Sequence, residues 1–184
     1  MSIQMPIVLL IVLAAAVLLL LAAVHAARVW RRLRGAMLVT CPETALPAAV
    51  RVDARHAALS ALVGTQPSLR LSDCSRWESR GRCAEPCLSQ VAADGEACRL
   101  TTIARQWYAG RTCVYCGKPI SDGEMLDHHA ALLAPDGSTI EWTVVPPLDL
   151  TSAFRTHRPV CWDCHVTETF RRQYPDLVVD RPAH

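Results

Sequence analysis

The sequence contains no asparagine, and no lysine or arginine precedes its longest apolar run. The first absence excludes any catalytic arrangement in which an asparagine carboxamide holds a general-base histidine in place. The second removes the charged opening of a secretory signal peptide. A basic excess is also missing where it would matter for nucleic acid. The formal charge of +2 comes from 19 basic and 17 acidic residues, yet Arg28, Arg31, Arg32 and Arg34 all crowd beside the apolar run. The part after Arg34 holds 15 basic against 17 acidic residues, a net charge of −2, with Lys118 as its one lysine. Such a surface does not neutralise phosphates, which disfavours nucleic acid as a partner. No internal repeat is present, and no low-complexity segment beyond the apolar run.

That run, Ile7 to Val24, has no polar side chain. At 1.5 Å per residue it covers roughly 27 Å, and continuing through Ala27 reaches the bilayer core thickness of about 30 Å. Pro6 suits a first helical position, where a missing N–H costs nothing. A cleaved signal peptide with "VHA" at Val24 to Ala26 is the alternative. The arginines that follow the run favour an uncleaved anchor embedded in the lipid bilayer over residues 7–27. Arginines flanking a span stay in the cytoplasm, so the N-terminus is expected outside a cell inner or plasma membrane, with everything from Arg28 onward in the cytoplasm. Trp30 fits an interfacial anchor. Thiols in that compartment remain reduced.

A chain of 184 residues allows one ordinary domain or two very small ones. Much of the 51% hydrophobic content lies in the first thirty residues, so the remainder calls for staples. Nine cysteines are available, an odd number that cannot pair completely within one chain. The expected organisation is a membrane anchor and basic flank over 1–34, then an irregular cysteine-containing segment over 35–97. An amphipathic connector helix over 98–110, a zinc domain over 111–174 and a tail over 175–184 follow. "AAVRVDA" alternates like a short strand, and "ARHAALSALV" suits a helix ending at Gly64. In "CRLTTIARQWYAG", Leu100, Ile103, Ala104, Trp107 and Tyr108 share one helical face, with Gly110 as C-cap. Asp122-Gly123 and Asp136-Gly137 are hairpin signals, "STIEWTVV" reads as a strand, and Val166–Tyr174 reads as a helix stopped by Pro175.

Cys113/Cys116 and Cys161/Cys164 are two C-x-x-C pairs, and two such pairs complete a tetrahedron of thiolates around one zinc ion. Gly117 allows the tight turn after the first pair. The 44 intervening residues exceed usual zinc-ribbon spacing and must fold back on themselves. A knuckle, a hairpin, then a second knuckle opening a helix resembles a treble-clef zinc finger. The expected fold class is therefore α+β: a single transmembrane helix followed by a small metal-stapled domain of treble-clef, HNH-like form. "CWDCH", Cys161 to His165, also matches the attachment motif of a c-type haem. That alternative needs an extracytoplasmic domain and a distal ligand such as Met125, His128 or His129, and leaves "CVYC" without a role.

Taken together, "CVYCGKPI", "MLDHHAALLAPDG" and "VCWDCHVTE" resemble the zinc-containing HNH endonucleases over about residues 111–172. The resemblance implies Asp127 as a metal ligand, His128 as the general base and His165 as the terminal metal-binding residue, with a divalent ion polarising a phosphate. The family's middle asparagine has no counterpart. The other reading keeps the zinc scaffold, assigns no catalytic residue, and leaves His128 and His129 as hydrogen-bonding or surface residues.

Of the remaining cysteines, Cys41, Cys74, Cys83 and Cys87 could make a second four-thiolate site holding zinc or an iron–sulfur cluster. They could also be buried free thiols. Cys98 is then left over. Trp77, Trp107, Trp142 and Trp162 read as core residues, and nothing selects His56 or His157 as a replacement ligand. Three function classes emerge. The favoured one is a membrane-anchored zinc protein that docks a protein partner at the cytoplasmic face. The others are an HNH-type hydrolase, and an electron carrier with an iron–sulfur cluster or haem c.

Overall fold

A computed structural model of the chain describes residues 4–64, 66–121 and 129–177. They form a mixed helix and strand structure in two compact units, Met1–Arg99 and Leu100–His184.

The first unit opens with α1, Gln4–Leu33. Within it, Ile7–Leu33 is long and apolar enough to cross a membrane. Thirty residues rise about 45 Å, well beyond a bilayer core of about 30 Å. The surplus is used at the C-terminal end. Ala22, Ala26, Val29 and Leu33 follow one another at helical spacing and are partly or fully covered, whereas Ile7 to Leu21 are exposed. Leu33 is only 4% exposed and belongs to the core of this unit, with Val29 packed against it.

The segment from 35 to 97, expected to be irregular, instead carries an antiparallel sheet of β1 (Ala36–Thr40), β2 (Pro47–Val52) and β3 (Leu71–Cys74) in the order β1-β2-β3. Met37 and Val39 in β1, and Ala48, Val50 and Val52 in β2, face inward in strict alternation. One buried and one open face is what period-two patterning produces. α2 (Ala54–Val63) begins at Asp53, whose carboxylate accepts the His56 N–H at 2.9 Å and pairs with Arg70 at 2.6 Å, and ends at Gly64. Its buried face is Ala54, Ala57, Ala58 and Ala61. Small side chains let α1 lie close against it, and the two helices are in extensive contact. Two further short helices follow, α3 (Trp77–Arg80) and α4 (Leu88–Asp94). Gly95 ends α4 beneath Leu33: a Cβ there would stand 2.9 Å from the Val91 carbonyl oxygen and 3.8 Å from Leu33 Cδ2.

The second unit starts with α5, Leu100–Tyr108. It is a core element of this unit, burying Ala104 and Tyr108. The Tyr108 hydroxyl donates to the Ala131 carbonyl at 2.8 Å, and Trp107 stacks on Phe154 and donates to its carbonyl at 2.9 Å. The sheet has the order β5-β4-β6, from β4 (Ala131–Leu133), β5 (Thr139–Glu141) and β6 (Arg158–Val160). Asp136-Gly137 does make the β4–β5 turn: Asp136 accepts the Ser138 N–H at 2.8 Å, and Gly137 has φ +82°. Asp122-Gly123 lies outside the described residues. The strand expected through "STIEWTVV" stops at Glu141, because the chain turns at Trp142–Val145 to bury the Trp142 indole. Pro146 and Pro147 follow, and neither has an N–H to extend a ladder. Helix α6 (Leu150–Thr156) leads into β6, and α7 spans Trp162–Gln173. α7 starts four residues before the expected Val166, because the second cysteine pair occupies its first turn. A 3₁₀ turn, Pro175–Leu177, closes the described chain.

Because Leu33 fills the first core from α1, Leu33→Ala should destabilise this unit by about 2–5 kcal/mol. A chain begun at Gly35 should lose at least as much. Denaturant unfolding of the detergent-solubilised protein checks this, and an unchanged midpoint for both would show that the helix end contributes nothing.

Candidate metal centre

The four cysteines of the second unit reach one point by three local devices. The first is the turn at Cys113–Gly117. A bridge between Thr112 and Pro119 closes it, the Cys113 N–H donates to the Lys118 carbonyl at 2.8 Å, and the Gly117 N–H donates back to the Cys113 carbonyl at 2.9 Å. Gly117 has φ +71°, a left-handed conformation that glycine adopts without steric cost. The second device is β6, whose Pro159 carbonyl accepts the Val114 N–H at 3.0 Å. This bond helps join the two halves of the site across the intervening hairpin. The third is the start of α7. Cys161 is its N-cap in extended conformation, and Cys164 sits in the first turn.

The result is a group of four sulfurs, Cys113, Cys116, Cys161 and Cys164, all within 4.8 Å of one another. The Cys116 and Cys161 sulfurs are 3.7 Å apart. A tetrahedron with metal–sulfur bonds of 2.3 Å has an edge of about 3.8 Å. Four cysteines in this arrangement can hold a metal ion. Cys113 and Cys161 are each 2% exposed, while Cys116 opens to solvent.

The protonation of this group is divided. Burial pushes the Cys113 thiol up, but backbone N–H groups of Cys161, Cys116 and Tyr115 outweigh it and bring the thiol down to about 7. Burial pushes Cys161 up to about 11. It raises Cys164 further, joined by the neighbouring thiols. One thiolate is thus stabilised by the backbone, and its presence opposes ionisation of the rest. A cation at the centre would reverse that opposition. The free N–H groups of the first α7 turn add a partial positive charge on the same side.

His165 is adjacent to Cys164 but stands outside the sulfur group. Its Nδ1 is 2.9 Å from the Thr139 hydroxyl of β5, and burial lowers its pKa against the opposing effect of Glu141. Glu141 is 3.7 Å from His129 Nδ1. Thr139 and Glu141 carried no motif in the sequence, and only the register of the β4–β5 hairpin brings them beside α7. Met125, Asp127 and His128 lie outside the described residues. His56 serves the start of α2, and His157 lies 2.9 Å from the Thr156 hydroxyl, so neither joins the sulfur group. Trp107 and Trp142 belong to the second core, and Trp77 packs against the first. Trp162 is partly covered beside His165, with ring centres 5.8 Å apart. Cys98 packs against the first core, where burial raises its thiol.

Metal uptake should release protons, because burial keeps Cys161 and Cys164 protonated at neutral pH. The expected release is at least about two protons per ion bound at this group. Affinity should rise with pH and fall as acid reclaims the thiolates. Calorimetric titration in two buffers of different ionisation heat measures this. Cys116→Ser should weaken binding by more than the roughly 100-fold that loss of an outer-shell partner costs.

Comparison of the chain with protein-family models, with curated proteins and with solved structures returned no match, so the chemistry of this centre rests on its own residues.

Proposed function

We propose that the chain is a single-pass, membrane-anchored zinc protein whose second unit is a treble-clef docking module for a protein partner at the cytoplasmic face. The observation that carries this is the closure of four sulfurs within 4.8 Å, which suits one small tetrahedral ion. An iron–sulfur cluster would interpose iron and sulfide atoms between the thiolates and hold them wider apart. Haem attachment would consume Cys161 and Cys164 as thioethers and leave Cys113 and Cys116 unmatched. The treble-clef reading is supported by the order of a knuckle, the β4–β5 hairpin, then a helix opened by the second pair. The cytoplasmic reading is supported by Arg28, Arg31, Arg32 and Arg34, all exposed at the end of α1.

A second reading, HNH-type hydrolysis, is favoured by one cluster. His165, Glu141 and His129 gather beside the β4–β5 hairpin, on the part of the chain that carries the resemblance. His165 would serve there as the metal-binding residue with Asp127, and His128 as the base. Nucleic acid is the substrate that reading requires, and the slightly acidic charge after Arg34 opposes it.

The protein should remain in the membrane after alkaline washing and carry zinc. A phosphatase reporter active only outside the cytoplasm should stay silent when fused after His184. An active reporter, or protein purified with iron and visible absorbance, would refute the docking reading. Nuclease activity that His165→Ala abolishes while zinc content and folding persist would establish the second reading instead.

A further inference from the structure

We propose that Cys41, Cys74, Cys83 and Cys87 form a second thiolate site, in the first unit, that takes one thiophilic divalent ion such as zinc. It is independent of the centre in the second unit. The sheet begins the assembly. β1 and β3 flank β2 on opposite sides and, both antiparallel to it, run in the same direction. Cys41 follows β1, with its N–H donating to the Leu46 carbonyl at 2.8 Å, and Cys74 is the last residue of β3.

The segment carrying Cys83 and Cys87 is tied to both outer strands. The Glu85 carboxylate accepts the Leu71 N–H of β3 at 2.8 Å. The Gln90 side chain pairs with Thr40 of β1 in both directions, accepting its N–H at 3.0 Å and donating to its carbonyl at 2.6 Å. Cys87 is thereby buried with Cys74 in one core cluster, and Cys41 packs against that cluster. The Cys87 thiol is raised to about 11, by burial first, then by the nearby Cys74 and Cys83 sulfurs, with Cys41 contributing least.

The backbone is arranged to present sulfur as an acceptor. The Glu85 N–H donates to the Cys83 sulfur at 3.4 Å. The Ala45 N–H donates to the Cys41 carbonyl at 2.8 Å, and Ala45 has φ +54°. Cys113 and Gly117 repeat this turn in the second unit, with the same bond at 2.9 Å and φ +71°. Thr44 occupies the place of Cys116, so this is a knuckle with one thiol. Among the described residues, Ala45 and Glu85 are the non-glycine residues with positive φ, and each follows a cysteine of this quartet. Side chains held in that region mark strain kept for a local purpose.

Among the described residues, the sulfurs of this quartet do not close to the 4.8 Å spacing of the other centre. Cys83 is exposed on the loop between α3 and α4, whereas Cys74 and Cys87 are buried. Ion binding would draw all four thiolates together, with Cys83 moving inward from its loop.

The test is cysteine footprinting of the full chain in detergent, reduced and freed of metal, with and without zinc. Alkylation at each cysteine is followed by mass spectrometry. Zinc should slow the reaction of exposed Cys83 by at least about tenfold, and Cys41→Ser should abolish that protection. Cobalt titration should give two ions per wild-type chain and one in Cys83→Ser, a substitution at an exposed loop position. Unchanged Cys83 reactivity, with Cys116 protected and one cobalt bound, would overturn the second site and leave the first centre intact. Protection of Cys83 without protection of Cys116 would do the reverse. An iron–sulfur spectrum that Cys41→Ser removes would overturn the single-ion assignment.

Discussion

Four thiol groups within 4.8 Å impose one electrostatic constraint, and the second unit is organised around it. Ionised together they repel, and kept neutral they cannot bind metal, so the arrangement has its full value only around a cation. The local structure anticipates that charge. Backbone N–H groups converge on Cys113, Gly117 releases the turn after Cys116, and α7 points the positive end of its dipole at the site. The hydrophobic core behind it, from Tyr108 and Leu132 to Val160, is contiguous with Cys113 and Cys161. Metal binding and core formation therefore stabilise the same residues.

Helix α1 likewise divides into two parts. Its first part is exposed and apolar, while its last two turns close the core of the first unit through Val29 and Leu33. Helix and unit are thus continuous, with no linker between them.

The two knuckle turns show how one backbone solution serves two side-chain sets. Gly117 adopts the left-handed conformation freely, and Ala45 adopts it under strain. In the second unit the turn carries two thiols and the sulfurs lie close together. In the first it carries one, and the remaining thiols arrive from β3 and from the loop before α4.

The sequence alone determined those features that depend on chemistry at short range. The apolar run and its arginine flank, the two C-x-x-C pairs, the helix from Ala54 to Gly64 and the Asp136-Gly137 turn were all legible, because each is specified by residues within a few positions. Of the β1-β2-β3 sheet only β2, through "AAVRVDA", was legible. β1 and β3 offer two inward positions each, Met37 and Val39, Leu71 and Cys74, too few for a period to show. The pairing of Val114 with Pro159, the meeting of His165 with Thr139, and the approach of Cys83 and Cys87 to Cys41 and Cys74 were decided by tertiary structure alone. The first two join residues 45 and 26 positions apart, and the third spans up to 46, from Cys41 to Cys87, and only strand register and core burial fix such distances.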